Sequence, residues 1–365
     1  MYLERLSILN FKNIEQCELP LSRKINCFVG DNGTGKTNLL DALYFLSMSK
    51  SALNLSDGQC VRHESDFFML SGDYVMMPDR RESVVCSFKR GSGKTLKRNG
   101  KEYERVSEHI GLLPIVLVSP SDTALINESG DERRRFMNLF LSQTDRSYLT
   151  VMQRYNQLLA ERNKLLKSSA GFEEVIDIID IQLCEAGSVI HKKRADFATR
   201  LAPVVSEYYR LISGDAEQVE ISYKSELSRQ PMQELLRASG ERDRILGHTT
   251  CGVHRDDLVM SILGYPIRKY GSQGQQKSML IALKLAQFDI IKELCGVKPI
   301  MLLDDVFDKL DLKRVEHLIE LVAGDSFGQI LITDSNKIRM EGILDNLTAD
   351  YLLFEVAAGM IQPYK

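Results

Sequence analysis

Apolar and polar positions alternate along Tyr2–Phe11 as they do in a half-buried strand. After a turn at Lys12–Asn13 the alternation resumes through Cys17–Leu19. Ile25–Val29 predicts a short buried strand, and Asn38–Leu46 predicts an amphipathic helix just beyond a glycine-rich stretch. Residues 66–104 predict strands, best marked at Phe67–Tyr74 and Ser83–Phe88, with Asn99–Gly100 as a two-residue hairpin turn. Ile115–Val118 predicts a further buried strand that stops at Ser119–Pro120. The period then changes. From Glu132 to Lys167 the spacing of Leu149, Met152, Tyr155, Leu158 or Leu159, and Leu165 or Leu166 is helical. Ser168–Gly171 breaks the run. A second helical run puts Val175, Ile178, Leu183, Ala186, Ile190, Phe197, Leu201, Val204 and Tyr208 on one stripe, with a kink expected at Pro203. Two helices around a short break predict an antiparallel hairpin whose arms would reach roughly 40–50 Å. The plainer alternative is a helical subdomain folded against the core. Residues 213–249 show no pattern, and Asp257–Ile262 predicts a strand. The apolar helix carrying Met279, Leu280, Leu283, Leu285, Ala286, Phe288, Ile290 and Ile291 leads to the apolar run Ile300–Leu303, which fits a central strand buried on both faces.

A chain of 365 residues suggests two or three lobes, and 44% hydrophobic with 27% charged residues is the balance of a soluble globular protein. Glu4, Arg5 and Lys12 argue against a secretory signal, and no apolar run reaches the ~20 residues of a membrane span. The 7 cysteines are scattered without a C-x-x-C pair, which suits a reducing cytoplasm. A net charge of −3 means that any nucleic-acid surface must be a local patch.

Chemistry concentrates at Gly30-Asp31-Asn32-Gly33-Thr34-Gly35-Lys36-Thr37-Asn38. Gly30, Gly35, Lys36 and Thr37 fill the fixed places of the phosphate loop G-x-x-x-x-G-K-[ST], between a predicted strand and a predicted helix. Glycines let peptide N–H groups approach phosphate oxygens, Lys36 would carry a positive charge to the β- and γ-phosphates of ATP, and the Thr37 hydroxyl would ligate Mg²⁺. Gly91–Thr95 also ends in Gly-Lys-Thr, but Phe88 stands where that loop's first glycine would be, so it reads as a hairpin turn. Asp304 and Asp305 close the apolar run. In a phosphate-loop ATPase Asp304 would hold the Mg²⁺ shell and Asp305 would orient or deprotonate the attacking water. Ser272-Gln273-Gly274-Gln275-Gln276 is a capping box that also resembles the signature of ABC-class ATPases. There the signature serine and helix N-terminus face the γ-phosphate of a nucleotide held by the other subunit.

Over nearly the whole chain these residues resemble the RecF family, bacterial recombination mediators related to SMC proteins and ABC ATPase heads. Further matches are Asn10–Asn13, Leu112–Asp122, Arg133-Arg134-Arg135-Phe136, His254-Arg255-Asp256-Asp257 and Leu302–Phe307. The departures are Val118, Ser121, Val253 and Asp308, the last just before Lys309-Leu310-Asp311, a segment that resembles a loop crossing the dimer interface of ABC-type ATPases. Thr333 follows the next strand where many ABC ATPases have a histidine. The resemblance implies an α/β fold, an ABC/SMC-type P-loop ATPase head of residues 1–120 plus 270–365, with an inserted, mainly helical lobe at 121–269. It implies a site in which Lys36, Asp305 and Ser272 act in catalysis. Gly30 to Asn38, Ser272, Gly274 and Gln275 would bind ATP, and Thr37 and Asp304 would bind Mg²⁺. Lys12 and Asn13 become candidates for the adenine pocket. It further implies a slow, DNA-stimulated ATPase that works as a switch, an ATP-dependent homodimer on double-stranded DNA beside a single-stranded gap, and RecR and RecO as partners in loading RecA, with no membrane.

Two clusters could supply positive charge for DNA: Lys89, Arg90, Lys94, Lys97, Arg98 and Lys101 in the β-rich region, and Arg133–Arg135. Solvated charge is the simpler account of both, and the arginines could instead cap the lobe or serve the nucleotide. His248, Cys251 and His254 lack a fourth zinc ligand, and Met76–Met77 reads as packing. Three competing readings remain. A structural SMC head would need longer heptads than the helical hairpin supplies. A transporter ATPase would be expected to keep the histidine that Thr333 replaces. An inactive binding module sits poorly with Lys36, Thr37, Asp304 and Asp305.

Overall fold

The computed structural model describes residues 1–168, 173–214, 217–307, 312–347 and 349–364. Residues 169–171 of the predicted interruption Ser168–Gly171, and the interface-like segment Asp308–Asp311, fall outside the described residues. The chain forms two compact units, Met1–Asp122 with Gln287–Lys365, and Thr123–Ala286.

In the first unit β1 (Tyr2–Phe11), β2 (Ile14–Pro20) and β3 (Ile25–Val29) lead to helix α1 (Lys36–Met48). Then come β4 (Phe67–Met77), β5 (Arg80–Lys89), β6 (Gly93–Arg98), β7 (Lys101–Glu102) and β8 (Ile115–Val118). One antiparallel sheet runs in the order β2-β1-β4-β5-β6-β7. Leu3, Leu6, Ile8 and Phe11 of β1 are wholly buried. The three-residue step from Leu3 to Leu6 is a bulge in the pairing with β4. The Gly-Lys-Thr of Gly91–Thr95 is the β5–β6 hairpin, as expected. Asn99 and Gly100 both take positive φ, 49° and 79°, which a two-residue β6–β7 turn needs. Helix α1 corrects the reading of Asn38–Leu46. It is buried on nearly every side, from Leu39 to Met48, because β1, β4 and β5 pack on it as well as β8. Phe45 meets Phe11 and Phe68 edge-on, with ring centroids 5.9 and 5.3 Å away. Met77 is 59% exposed, against its expected role in packing.

The second unit comprises α2 (Ala124–Asn127), α3 (Gly130–Thr144), α4 (Arg146–Leu166), α5 (Glu173–Ser213), β9 (Val219–Lys224), α6 (Met232–Leu246), β10 (Asp257–Ile262), β11 (Tyr265–Pro266) and α7 (Ile267–Tyr270). Helix α8 (Gln273–Cys295) begins in it. The helical run read from Glu132 to Lys167 is in fact two helices. Asp145 interrupts it, its carboxylate accepting from the backbone N–H of Ser147 (2.8 Å) and Tyr148 (3.3 Å) as an N-cap. Helices α4 and α5 pair antiparallel: Arg194 donates to the Tyr148 hydroxyl at 3.2 Å, and Arg162 reaches Asp180 at 2.6 Å. Their lengths, 21 and 41 residues, correspond to about 32 and 62 Å. Helix α5 also packs on α3, α6 and β9, so the pair is part of a folded lobe and not a free arm. Val175 and Ile178 are exposed (45% and 57%), and Ile179 and Val205 take the inward places assigned to the stripe. Helix α5 continues through Pro203. Strand β9 and helix α6 occupy the stretch without a sequence pattern.

Back in the first unit, β12 (Ile300–Asp304), α9 (Leu312–Ala323), β13 (Ile330–Asp334), α10 (Lys337–Leu344), β14 (Tyr351–Ala357) and β15 (Met360–Pro363) complete the chain. The second sheet runs β15-β14-β3-β13-β12-β8, parallel except for β15. Every residue of β3, β12 and β13 is buried, as a parallel core covered on both faces requires. Among the described residues no helix is long and apolar enough to cross a membrane.

Candidate functional site

Strand β3 ends at Val29, and residues 30–35 form a loop that enters α1 at Lys36. Two glycines are dictated by space and backbone. A Cβ on Gly30 would lie 2.2 Å from the Val356 carbonyl oxygen of β14, and Gly35 takes a φ of +115° against the Asn13 side chain. The loop is braced from three directions. Gly30 N–H donates to the Asp334 carbonyl at 3.3 Å, and Gly359 N–H donates to the Thr34 carbonyl at 2.8 Å. The same carbonyl accepts from Asn13 Nδ2 at 3.1 Å, while Asn13 Oδ1 accepts from Asn38 Nδ2 at 2.8 Å. Asp31, Asn32 and Gly33 form the exposed rim, and Thr34 Oγ1 donates to the Asp31 carbonyl at 2.8 Å.

The Lys36 side chain is buried, 4% exposed, and curls back so that Nζ donates to the carbonyls of Gly30 (2.7 Å) and Asp31 (2.9 Å). An ammonium held on neutral acceptors beside left-handed glycines is suited to phosphate oxygens. Thr37 Oγ1 donates to Asp304 Oδ1 at 3.0 Å, and Thr333 Oγ1 donates to the same oxygen at 2.7 Å. Burial raises the Asp304 carboxyl above its ordinary range. The two threonine bonds pull it down, Asp305 pushes it up, and Lys36 lowers it. Thr37 and Asp304 together offer hard oxygen ligands of the kind Mg²⁺ prefers. Asp305 sits in a left-handed turn, φ 46°, fixed by its N–H on Thr333 Oγ1 at 3.0 Å. The structure thus gathers Gly30–Asn38, Asp304 and Asp305 in one unit. It adds Asn13 and Thr333, whose bracing roles sequence reasoning did not find. Lys12 is buried against Asp41, Nζ to Oδ2 2.6 Å, and so is tied into the interior of the unit.

Ser272, Gly274 and Gln275 belong to the second unit, at the start of α8. The predicted capping box is present. Ser272 N–H donates to Gln275 Oε1 at 2.6 Å, and Gln275 N–H donates to Ser272 Oγ at 3.2 Å. Gln275 Nε2 also donates to Glu217 at 2.6 Å, and Gln276 Nε2 donates to the carbonyls of Gly271 (3.0 Å) and Ile267 (3.3 Å). Ser272 itself is exposed.

The basic clusters separate once their partners are known. Arg133 grips the Asp257 carboxylate with Nε (2.6 Å) and a terminal nitrogen (3.0 Å). Arg134 donates to the Asp256 carbonyl at 2.7 Å, and Arg135 stands 3.8 Å from Glu132. Arg133 and Arg134 tie α3 to the Asp256–Asp257 stretch, while the Arg135–Glu132 pair lies within α3. Asp256 accepts from the buried Arg194 at 2.9 Å and from Tyr223. The His-Arg-Asp-Asp stretch is therefore a tie point of the second unit. Arg98 forks onto Glu82 at 2.6 and 2.8 Å and, with Arg80 and Asn99, holds that carboxyl down to about 2. Lys94 donates to the Ser49 carbonyl at 2.7 Å, whereas Lys89, Arg90, Lys97 and Lys101 are exposed. Among the described residues no group of three or more His, Cys, Asp or Glu could hold a metal ion. His254 Nε2 faces the Thr249 carbonyl (3.1 Å) and must donate, so Nδ1 accepts from the Tyr155 hydroxyl at 2.9 Å. Burial pushes this imidazole down to about 4.

The RecF/RecN/SMC N terminal domain family matches residues 2–350. Relatives named DNA replication and repair protein RecF, from Bacteroides fragilis and Bacteroides thetaiotaomicron, are each 49% identical over 362 residues, 99% of this chain and 98% of theirs. The namesake from Phocaeicola vulgatus is 47% identical, covering 100% and 99%. The solved structure of "the recombination mediator protein RecF-ATP in RecFOR pathway" matches with a TM-score of 0.90 at 29% identity, covering 100% of this chain and 98% of that one. An Smc head bound to the C-winged helix domain of ScpA matches at TM-score 0.57 and 16% identity, covering 100% and 97%, a likeness of fold.

Proposed function

Since this chain belongs to the RecF family, we propose that it is an ATP-dependent DNA-binding protein of DNA replication and recombinational repair. The observation that carries the reading is the constellation of Lys36, Thr37, Asp304, Thr333 and Asp305 around one glycine-shaped loop. Lys36 exchanges its two carbonyls for the β- and γ-phosphates of ATP, and Thr37 and Asp304 would hold Mg²⁺, which would screen the phosphate charge. Asp305 takes the proton of a water that attacks the γ-phosphorus, yielding ADP and phosphate. Thr333, in place of a histidine, makes this step slow, so ATP occupancy serves as a switch. Ser272 and the N-terminus of α8 bind the γ-phosphate held by a second copy, which makes dimerisation depend on ATP. The dimer grips duplex DNA beside a single-stranded gap and, with RecO and RecR, places RecA there.

Turnover and self-association measured with and without gapped duplex DNA test this. Lys36→Met should lose ATP binding. Ser272→Arg should bind ATP yet stay monomeric in gel filtration, and its normal dimerisation with ATP would remove the shared site from the account.

A further inference from the structure

The second unit carries an aromatic and cationic platform that the ATP site does not use. Tyr265 and Tyr270 are 59% and 66% exposed, and their rings lie 5.2 Å apart at 51°. Both are far more accessible than the buried tyrosines of the same unit, such as Tyr148 and Tyr155. In the chain, exposed Arg268 and Lys269 lie between them. Arg268 has one long contact, 3.5 Å to the Glu128 carbonyl, and Lys269 has no carboxylate partner among the described residues. No described carboxylate neutralises either cation.

The platform is rigid. Ile267, 2% exposed, anchors α7, and Gln276 of α8 ties the carbonyls of Ile267 and Gly271. At the other end the β10–β11 hairpin turns at Leu263 and Gly264, with φ of 50° and 80°. Leu263 is a branched residue in the left-handed region and is 61% exposed, and its N–H donates to the Gln218 carbonyl at 2.9 Å. Strain of this kind tends to mark positions kept for a task other than stability.

Exposed aromatic faces, with two exposed cations in the same short stretch of chain that no described carboxylate pairs, suit a ligand that is both flat and anionic. Bases stack on tyrosine faces, and Arg and Lys meet the adjoining phosphate. We propose that Tyr265, Arg268, Lys269 and Tyr270 form a binding site for an unstacked nucleobase with its phosphate. The rings are too close together to admit a base between them, so the base stacks on an outer face. The ligand has two sources: a single DNA strand, or the nucleotide held by a second copy against Ser272, two residues further along the chain. The second source rests on the shared-site reading above, and the first does not.

The test uses the full chain with Tyr265 and Tyr270 both changed to Ala, and separately both to Phe, with thermal melts to establish that each folds. Binding of a fluorescent single-stranded oligonucleotide is measured without ATP, and ATP-driven dimerisation is measured without DNA. For a DNA strand the Ala pair should weaken oligonucleotide binding roughly tenfold per stacked base, with the Phe pair near wild type. Arg268→Glu with Lys269→Glu should lower the salt slope by about 0.7 for each phosphate no longer engaged. For the partner's nucleotide, dimerisation should weaken in the Ala pair while oligonucleotide binding holds. If both measurements match wild type in the folded Ala pair, or if the Phe pair loses as much as the Ala pair, no base stacks there. Because the oligonucleotide arm needs neither ATP nor a dimer, it is independent of the outcome for Ser272→Arg.

Discussion

Thr333 connects the two acidic residues at the end of β12, bonding the Asp304 side chain and the Asp305 backbone through one hydroxyl. Thr333→Val should therefore leave ATP affinity nearly intact and lower turnover by about 10²-fold, the loss typical for one preorganised polar group. Single-turnover kinetics beside equilibrium ATP binding would separate the two effects. Serine should restore most of the loss. His254 gives a different test. Its folded value of about 4 lies below the ordinary 6.5, so the folded state binds fewer protons than the unfolded chain. Its contribution is complete above pH 6.5 and is lost as pH falls towards 4. Denaturant midpoints against pH should steepen in that window, and His254→Gln should flatten it. The loop from Gly30 to Thr37 is legible in the sequence because phosphate geometry fixes its spacing. Thr333 as a brace is not, because its partners arrive from a neighbouring strand and no local pattern announces the bond.

At the scale of elements, the hairpin tip at Leu263 makes a prediction of opposite sign. Asparagine tolerates the left-handed region better than a branched apolar residue, so Leu263→Asn should raise stability by about 0.5–1 kcal/mol in urea titrations. Asp145→Ala should lower it by ~1 kcal/mol through loss of the α4 cap. The same two elements mark what periodicity can deliver. The strands β1, β3, β8, β10 and β12 are readable because their alternation or unbroken apolar runs are long. The break at Asp145 is hidden because apolar spacing continues across it and the cap is a single residue. The burial of α1 on all sides is hidden too, because the pattern alone does not reveal two sheets closing on it. Strand β9 buries only Val219 and Ile221, and α6 buries apolar residues only at Met232, Leu235 and Leu236, too few in each case for a period to stand out.

At the scale of the molecule, function is legible further than architecture. The loop, the paired acids and the signature helix are short stretches whose residue types are fixed by chemistry, whereas the course of α5 depends on packing. The exposed Lys89, Arg90, Lys97 and Lys101 are the cations of the β-rich region left to test against DNA. Changing Lys97 and Lys101 to Glu should weaken duplex binding and reduce the salt slope by about 0.9 for each phosphate released, while an unchanged slope would acquit the hairpin. The order of the second sheet carries one more consequence. Strand β3 takes both of its neighbours, β13 and β14, from the last part of the chain, and Gly359 clasps the loop that β3 presents. A polypeptide still emerging from the ribosome owns the glycines early and lacks their frame until β13, β14 and Gly359 have followed. Nascent or prematurely terminated chains should thus be unable to capture ATP, and a fragment ending at Ala349 that retained nucleotide would disprove this.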